Sequence, residues 1–420
     1  MIDLDAPGVI VFFGTMNAMP MMYAHELKKM AQDVIYFVDV PEKNALCRPE
    51  NHFPDISYPY PDWVVEFVLP TPFIANIFPK LTLLLMLRKA KRKKKFDTVK
   101  AVFLGGSFIS YAPFFKEETL KIFLSHGSDF DTWCDTQNTS ALSWGMKRRS
   151  VFKFFPYVIT KALIKSIVRQ NLKSAKSADV LLYFPRGMNK VGDRLIAELE
   201  DAVVTYIPRY DASFEPLKHV SRKFKHEGKK LVILSVVRFL YKTFPDSNEG
   251  YSKGNDKIIY GLAMYKKLNK NIEIHFVEKG EDVHHAKLLC DELSLSDVVI
   301  WHKEMPFKEF IKLYELADIC FDQVGNHWIA GGGLYALYLG KPLIANAKNL
   351  SFLGESPIMH AETPDEVCKC LVALSDLAFR KTISARSKKF AEEKFGPFAV
   401  LERLVRNDGH SHPIPADTGK

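Results

Sequence analysis

Val9-Ile10-Val11-Phe12-Phe13 runs straight into Gly14, and a second apolar run, Val34-Ile35-Tyr36-Phe37-Val38, follows one helix length later. A continuous β-branched and aromatic run without polar alternation reads as a strand buried on both faces, the kind that parallel sheets use. Between the two runs, residues 20–32 carry Met22, Leu27 and Met30 at helical spacing. Strand, glycine turn, helix, strand is a βαβ unit. The pattern recurs outward along the chain. Apolar runs at 101–104 and 121–124 end at Gly105-Gly106-Ser107 and at Ser125-His126-Gly127-Ser128-Asp129, and further runs stand at 180–184 and 203–207.

Residues 208–230 are rich in charge and turn formers, include Pro216 and Gly228, and read as a linker. A second series opens behind them, with strands expected at 231–237, 272–277, 298–301, 318–321 and 342–345. Helices are expected at 258–268, 287–293, 307–316 and 332–339. A chain of 420 residues exceeds what one core usually supports, so two domains are expected. The fold class is α/β, with two Rossmann-like doubly wound domains over 1–207 and 231–385. A final helix over 377–404 breaks near Gly396-Pro397. Its last part, 386–406, is expected to cross back to the N-terminal domain, and a tail over 407–420 with Gly409, His410, His412, Pro413 and Pro415 reads as disordered.

Charged residues make up 25% and hydrophobic ones 47%, an ordinary globular balance, and the six cysteines are scattered. Only Cys368 and Cys370 are close, and one C-x-C pair without a second is a weak metal signal, so reduced thiols are expected. The first residues lack the basic and small-residue features of a signal peptide. The longest apolar stretch, 73–87, is broken by Pro79 and Lys80 and is too short to span a bilayer. A cytoplasmic protein is expected. The net charge of +9 is concentrated in a run from Arg88 through Lys89, Lys91, Arg92 and Lys93 to Lys95, and again at Lys147-Arg148-Arg149 before Phe152, Phe154 and Phe155. Such basic-apolar stretches suit helices lying on an anionic membrane, and equally a solvated face beside a core helix.

Four stretches of the second half resemble the nucleotide-sugar-binding domain of the family-4 (group 1) retaining glycosyltransferases. They are Leu234-Ser235-Val236-Val237-Arg238 with Lys253-Gly254-Asn255-Asp256; Val277-Glu278-Lys279-Gly280-Glu281-Asp282; Ala317-Asp318-Ile319-Cys320-Phe321-Asp322-Gln323; and Gly331-Gly332-Gly333-Leu334-Tyr335 through Gly340-Lys341-Pro342. In the first half, Ser125-His126-Gly127-Ser128-Asp129 is similar to the family's His-Gly-Ser-Asp loop, and Ile207-Pro208-Arg209-Tyr210-Asp211 to the segment entering the second domain. The resemblance implies a GT-B fold with a donor held between the halves.

Glycosyl transfer leaves negative charge on a nucleoside diphosphate, and fixed cations and helix N-termini can stabilise it without metal. The resemblance assigns Arg238 and Lys253 to the diphosphate and places His126 near the reacting centre. Gly331, Gly332 and Gly333 open a helix whose amides can approach phosphate closely. Gly14, on the loop after the first strand, and Gly280, on a turn beside the nucleobase, complete the expected donor contacts. The family's two acidic residues before Gly-Lys-Pro fall here on His327 and Tyr335, neither of them acidic. Tyr335 can offer one hydrogen bond or a stacking face, and Asp322-Gln323 a polar floor. Asp129 is expected to orient the loop or cap a helix.

The expected activity is retaining transfer of a hexosyl or N-acetylhexosaminyl group from a nucleoside-diphosphate sugar, UDP favoured. The acceptor would be lipid-linked or a surface polysaccharide at the cytoplasmic membrane face. No cofactor, no metal and no nucleic-acid partner is expected. Arg88, Lys91, Arg92, Lys93, Arg148 and Arg149 would form the membrane or acceptor side. A nucleotide-sugar epimerase or hydrolase, and a catalytically silent GT-B protein binding a membrane or partner, are the alternatives.

Overall fold

A computed structural model describes residues 1–44, 47–71, 73–149, 151–218, 220, 230–242, 252–325, 329–348, 350 and 354–405, except the side chains of Arg148, Arg149, Val151, Pro216 and Lys308. The expected tail and most of the linker beyond Lys218 lie outside these residues.

The first unit comprises Met1–Pro185, Val191–Arg209 and the segment from Pro397. Its strands are β1 (Val9–Phe13), β2 (Val34–Val38), β3 (Val64–Glu66), β4 (Val99–Leu104), β5 (Leu120–Leu124), β6 (Val180–Tyr183) and β7 (Thr205–Pro208). They form one parallel sheet in the order β3-β2-β1-β4-β5-β6-β7. The reason β1 is apolar at every position is visible in its packing. Val9, Val11 and Phe13 join the core on one face of the sheet, and Ile10 and Phe12 the core on the other. Phe12 stacks on Phe103 at 4.3 Å and Phe13 on Phe37 at 4.8 Å. The helix Pro397–Leu404 buries Val400, Leu401 and Leu404 in the second of these cores, and the Ile2 amide donates to Leu404 O at 2.6 Å.

The second unit comprises Arg186–Lys190 and Tyr210–Gly396. Its strands β8 (Leu231–Ser235), β9 (Ile272–Glu278), β10 (Val299–Lys303), β11 (Ile319–Phe321), β12 (Leu343–Ala345) and β13 (Met359–His360) form a parallel sheet in the order β10-β9-β8-β11-β12-β13. Helix Asn255–Leu268 lies so close to helix Pro364–Ser375 that a Cβ on Gly261 would fall 2.4 Å from Val367 Cγ1.

Several elements escaped the sequence reading, among them the helices Phe73–Ile77, Thr139–Arg149 and Lys190–Glu200, strands β3 and β13, and helix Pro364–Ser375. β3 and β13 are three and two residues long, too short for a pattern. Helix Pro364–Ser375 carries a complete capping box between Thr363 and Glu366. Pro79 breaks the apolar stretch as expected: helix Phe73–Ile77 ends before it, and Pro79 is the first residue of helix Pro79–Lys93, where proline lacks no needed donor. Among the described residues no helix is long and apolar enough to cross a membrane.

Candidate functional site

In open α/β sheets, ligands collect outside the carboxyl ends of the strands where the strand order reverses. In the second unit that point lies between β8 and β11. The chain leaves β8 through Val237-Arg238-Phe239-Leu240 and is clamped there. Phe239 N donates to Lys279 O at 2.7 Å, and Leu240 N to Asn255 Oδ1 at 3.1 Å. Asp282, fully buried, accepts from Tyr241 N and Lys242 N at 2.7 and 2.8 Å. Gly280, at φ +112°, presses on this loop. A Cβ there would lie 2.3 Å from Phe239 O and 2.8 Å from Arg238 Cγ, so only glycine fits. Arg238 is half exposed and donates to Glu281 at 2.7 Å.

Lys253 enters from the other side. Its amide donates to Leu240 O, and its carbonyl accepts from Val324 N and Gly325 N just beyond β11. Gly254 makes the approach possible, since a Cβ there would stand 2.4 Å from Gly325 N. Burial pushes the Lys253 ammonium pKa down; Asp322 pulls it up and Arg238 pushes it further down. Two cations are thus held near each other in a partly desolvated place, which an arriving anion would relieve.

Asp322 is used by the chain itself. Its Oδ1 accepts from Gln323 N at 2.7 Å, and its Oδ2 from Ala330 N and Gly333 N at 2.8 Å each. It therefore caps helix Gly331–Tyr338 from outside the helix, taking two of its orphan amides. Burial raises this carboxyl to about 7. Tyr314 donates to Gly332 O, and Gly331 is exposed with open space around it. Asp322 does not take the amides of Gly331 and Gly332, which lie between the two it accepts from. Gln323 is buried beside Asp322. Tyr335 lies a turn into the helix, edge-on to Phe307 at 5.7 Å, with its hydroxyl pushed up to about 12 by burial. His327 and Trp328 lie outside the described residues.

In the first unit the strand order reverses between β1 and β4, and a cavity of about 330 Å³ sits there. Gly14, Thr15 and Met16 line it after β1, Asp39 after β2, Gly105 to Phe108 after β4, and His126, Ser128 and Asp129 after β5. Val40, Asn44, Cys47, Trp133 and Asn171 complete the wall. Asp129 ties two of these loops together, accepting from Ser125 Oγ and His126 N on one oxygen and from Gly106 N on the other. Arg209 is buried, donates twice to Ser125 O, and lies 2.9 Å from His126 Nδ1. A guanidinium only donates, so Nδ1 accepts and the imidazole proton sits on Nε2. Burial, with Arg209 behind it, holds His126 well below its usual pKa, so the ring is neutral. Thr15 donates to Asp39 Oδ1, and burial raises the Asp39 carboxyl.

The structure brings Arg238, Lys253, Gly280, Asp322, Gln323 and Gly331–Gly333 into one loop cluster of the second unit, and His126 with Gly14 into the cavity of the first. Arg88, Lys91, Arg92 and Lys93 stand apart, on helix Pro79–Lys93. That helix buries Thr82, Leu83, Met86 and Ala90 and turns Leu81, Leu84 and Leu85 to solvent. Val158, Ile159 and Leu163 are likewise exposed on helix Tyr157–Ala175. Arg148 and Arg149 end helix Thr139–Arg149. Sequence reasoning missed Arg209, Asp39, Asn171, Asn255 and Asp282 as site-building residues. Arg209, Asp282 and Asn255 stood inside motifs that resemble the family's, but nothing in their spacing marks them as loop clamps.

Among solved structures, the chain is similar to a glycosyltransferase from Rickettsia africae ESF-5, at 13% identity over 95% of this chain and 97% of that one, with a TM-score of 0.54. It is similar to sucrose-phosphate synthase from Thermosynechococcus elongatus (12% identity, 95% and 97% covered, TM-score 0.52). It is also similar to a putative UDP-N-acetylglucosamine 2-epimerase from Listeria monocytogenes (12% identity, 94% of each chain, TM-score 0.51). No family model and no curated protein matches the chain. At such identities the likeness is one of fold, and that fold is GT-B, two Rossmann-like domains in one chain.

Proposed function

We propose that the protein is a glycosyltransferase that binds a nucleoside-diphosphate sugar, UDP-linked by preference, at the switch point of its second sheet. The observation that carries this is the cationic pair Arg238 and Lys253 beside the open N-terminus of helix Gly331–Tyr338, a site built for a diphosphate. The two cations and the Gly331 and Gly332 amides stabilise charge on the leaving diphosphate without a divalent ion, and turnover is expected to survive EDTA. His126, neutral with its proton on Nε2, acts as a hydrogen-bond donor to a sugar hydroxyl, not as a base through Nδ1, which Arg209 occupies. Transfer with retention, in which the leaving phosphate helps deprotonate the incoming hydroxyl, is supported by the likeness of these motifs to the family-4 enzymes. A lipid-linked or surface-polysaccharide acceptor at the cytoplasmic membrane face is supported by the exposed Leu81, Leu84 and Leu85 next to Arg88, Lys91 and Arg92.

The test is a thermal-shift panel of UDP, GDP, CMP and ADP on the whole chain, with Lys253→Ala beside it. A ligand that binds only the folded state raises Tm by mass action. One nucleotide should shift the wild type. Losing a charged hydrogen bond, worth ~1.5–3 kcal/mol, should weaken that nucleotide ~10–100-fold in the variant. No shift with any nucleotide would remove the donor site. The fold likeness to an epimerase keeps a second reading in view. Conversion of the donor sugar with no acceptor present would favour it.

A further inference from the structure

Asp322 and a diphosphate would share one helix terminus. The carboxylate reaches the start of helix Gly331–Tyr338 from the end of β11 and holds Ala330 N and Gly333 N, both at 2.8 Å, on a single oxygen. The Gly331 and Gly332 amides lie between those two in the chain, so an anion accepting from them settles beside the carboxylate. Asp322 is 3% exposed, and little water is there to screen the repulsion. Among the described residues, Lys253 is the cation that acts on it. Two phenols face it as well: Tyr210, bonded to Ile329 N and O, and Tyr314, bonded to Gly332 O. Burial holds both hydroxyls well above their usual pKa, so they stay neutral. A diphosphate that draws the Lys253 ammonium takes part of that cation's field from Asp322 and sets a like charge next to it. Both changes favour the protonated carboxyl. Burial already brings this carboxyl to about 7, so a modest push changes its proton occupancy at neutral pH.

We propose that nucleotide binding in the second unit is coupled to a proton: Asp322 takes one up from solvent as a nucleoside diphosphate settles on the Gly331 and Gly332 amides, and near neutral pH a rise in pH loosens the nucleotide. The site is the one proposed above, and the coupling rests on it. One proton from water joins a carboxylate oxygen, and no other covalent bond is made or broken. The cap survives the change. A protonated carboxyl keeps its carbonyl oxygen, so Oδ2 goes on accepting from Ala330 N and Gly333 N while Oδ1 carries the proton. The loss falls on the 2.7 Å bond from Gln323 N to Oδ1. By linkage, affinity is highest where Asp322 is protonated both before and after binding. It falls by up to about tenfold per pH unit as pH rises through the value of the free site, and levels off above that of the bound site. The direction suits a leaving diphosphate, whose negative charge grows as the sugar departs. An uncharged Asp322 leaves the helix terminus to that charge, where an ionised one would oppose it.

Calorimetric titration of the whole chain with UDP-glucose, in buffers of different ionisation enthalpy, counts the protons taken up. ADP-glucose and GDP-mannose are run beside it. These probes are chosen because a diphosphate esterified at both ends does not itself titrate near neutral pH. Uptake of roughly half a proton or more is expected at about pH 7.5, fading to none at about pH 5.5, where the carboxyl is protonated in both states. Lys253 is the other group of the cluster that an anion could protonate, since burial lowers its ammonium. Lys253→Arg keeps the charge and does not titrate, so uptake should persist in it. His327→Gln controls in the same way for the histidine five positions after Asp322, which lies outside the described residues. Uptake lost in either variant while nucleotide still binds would overturn the assignment to Asp322. In Asp322→Asn any nucleotide that binds should do so without a proton. Should that variant fail to fold, infrared difference spectra of the wild type supply the reading. Binding should raise a protonated-carboxyl C=O band at the expense of carboxylate bands, and its absence would overturn the coupling. Binding with no proton uptake, at an affinity flat across neutral pH, would sink this inference and leave the donor site standing. No binding of any nucleotide sugar would overturn the site, and the coupling with it.

Discussion

Gly333→Ala tests how the second unit builds its helix terminus. A Cβ at Gly333 would stand 2.3 Å from both Asp322 Oδ2 and Ile329 Cγ2, contacts that real Cβ atoms do not make. The carboxylate must move, and the 2.8 Å bond from Gly333 N to Asp322 Oδ2 goes with it. Overpacking of this kind costs ~1–3 kcal/mol. Loss of a hydrogen bond to a charged group adds ~1.5–3 kcal/mol. Alanine's better helix propensity returns ~1 kcal/mol. The net destabilisation expected is ~2–5 kcal/mol, felt first in the loop that carries Ala330 and the helix start. Gly331→Ala is the control, because nothing lies within 4 Å of its Cβ position. It should be neutral or stabilising by up to ~1 kcal/mol. Urea unfolding of both variants, with hydrogen exchange followed in the peptide 329–338, separates the two cases. Equal midpoints and equal exchange in Gly333→Ala and wild type would show that Asp322 does not cap this helix, and the geometry assigned to the diphosphate site would fall with it.

His126 is held well below its ordinary pKa by burial and Arg209, so the unfolded chain takes up the proton that the folded chain refuses. Its contribution to stability is present above pH 6.5 and is lost as pH falls below it; ring NMR signals should show a neutral imidazole at pH 6, and a protonated ring there would contradict the tautomer. Arg209→Met removes the donor to His126 Nδ1 and two bonds to Ser125 O, and should cost ~3 kcal/mol or more of stability, read by urea denaturation. Reversing Arg88, Lys91 and Arg92 to Glu should abolish sedimentation with phosphatidylserine vesicles, each basic residue contributing ~1 kcal/mol, while leaving binding to the nucleotide identified by the panel unchanged; persistent binding would exclude this helix as the membrane face.

The fold was legible because buried parallel strands write themselves as unbroken apolar runs. β1 and β2 stand where Val9–Phe13 and Val34–Val38 placed them, since both faces of each are covered. β13 could not be read in the same way. Two residues, Met359 and His360, carry no periodicity, and the strand exists because β12 offers it an edge. Pro79 was legible as a break, and the structure divides the stretch there into helices Phe73–Ile77 and Pro79–Lys93, the second held by burial of Leu83 and Met86. Site residues divide likewise. Glycines whose Cβ would collide, such as Gly254 and Gly280, are visible in sequence because backbone constraint leaves a residue type behind. Arg209 and Asn171 are not, because their roles come from partners 83 and 38 residues away in the chain.

The two switch points also show why likeness of fold does not by itself settle chemistry. Each unit places its loops at the carboxyl ends of a parallel sheet, as the architecture demands. At one of them the loops deliver Arg238 and Lys253, with a carboxylate committed to capping amides. At the other they deliver two carboxyls, a neutral imidazole and an orphaned amide oxygen, with the Arg209 guanidinium turned to Ser125 O and His126. The first arrangement suits an anion, and the second, with its two carboxyls, does not. Transfer of a sugar from a diphosphate to an alcohol needs both kinds of place, and the position of the acidic residues, not the count of basic ones, is what tells them apart.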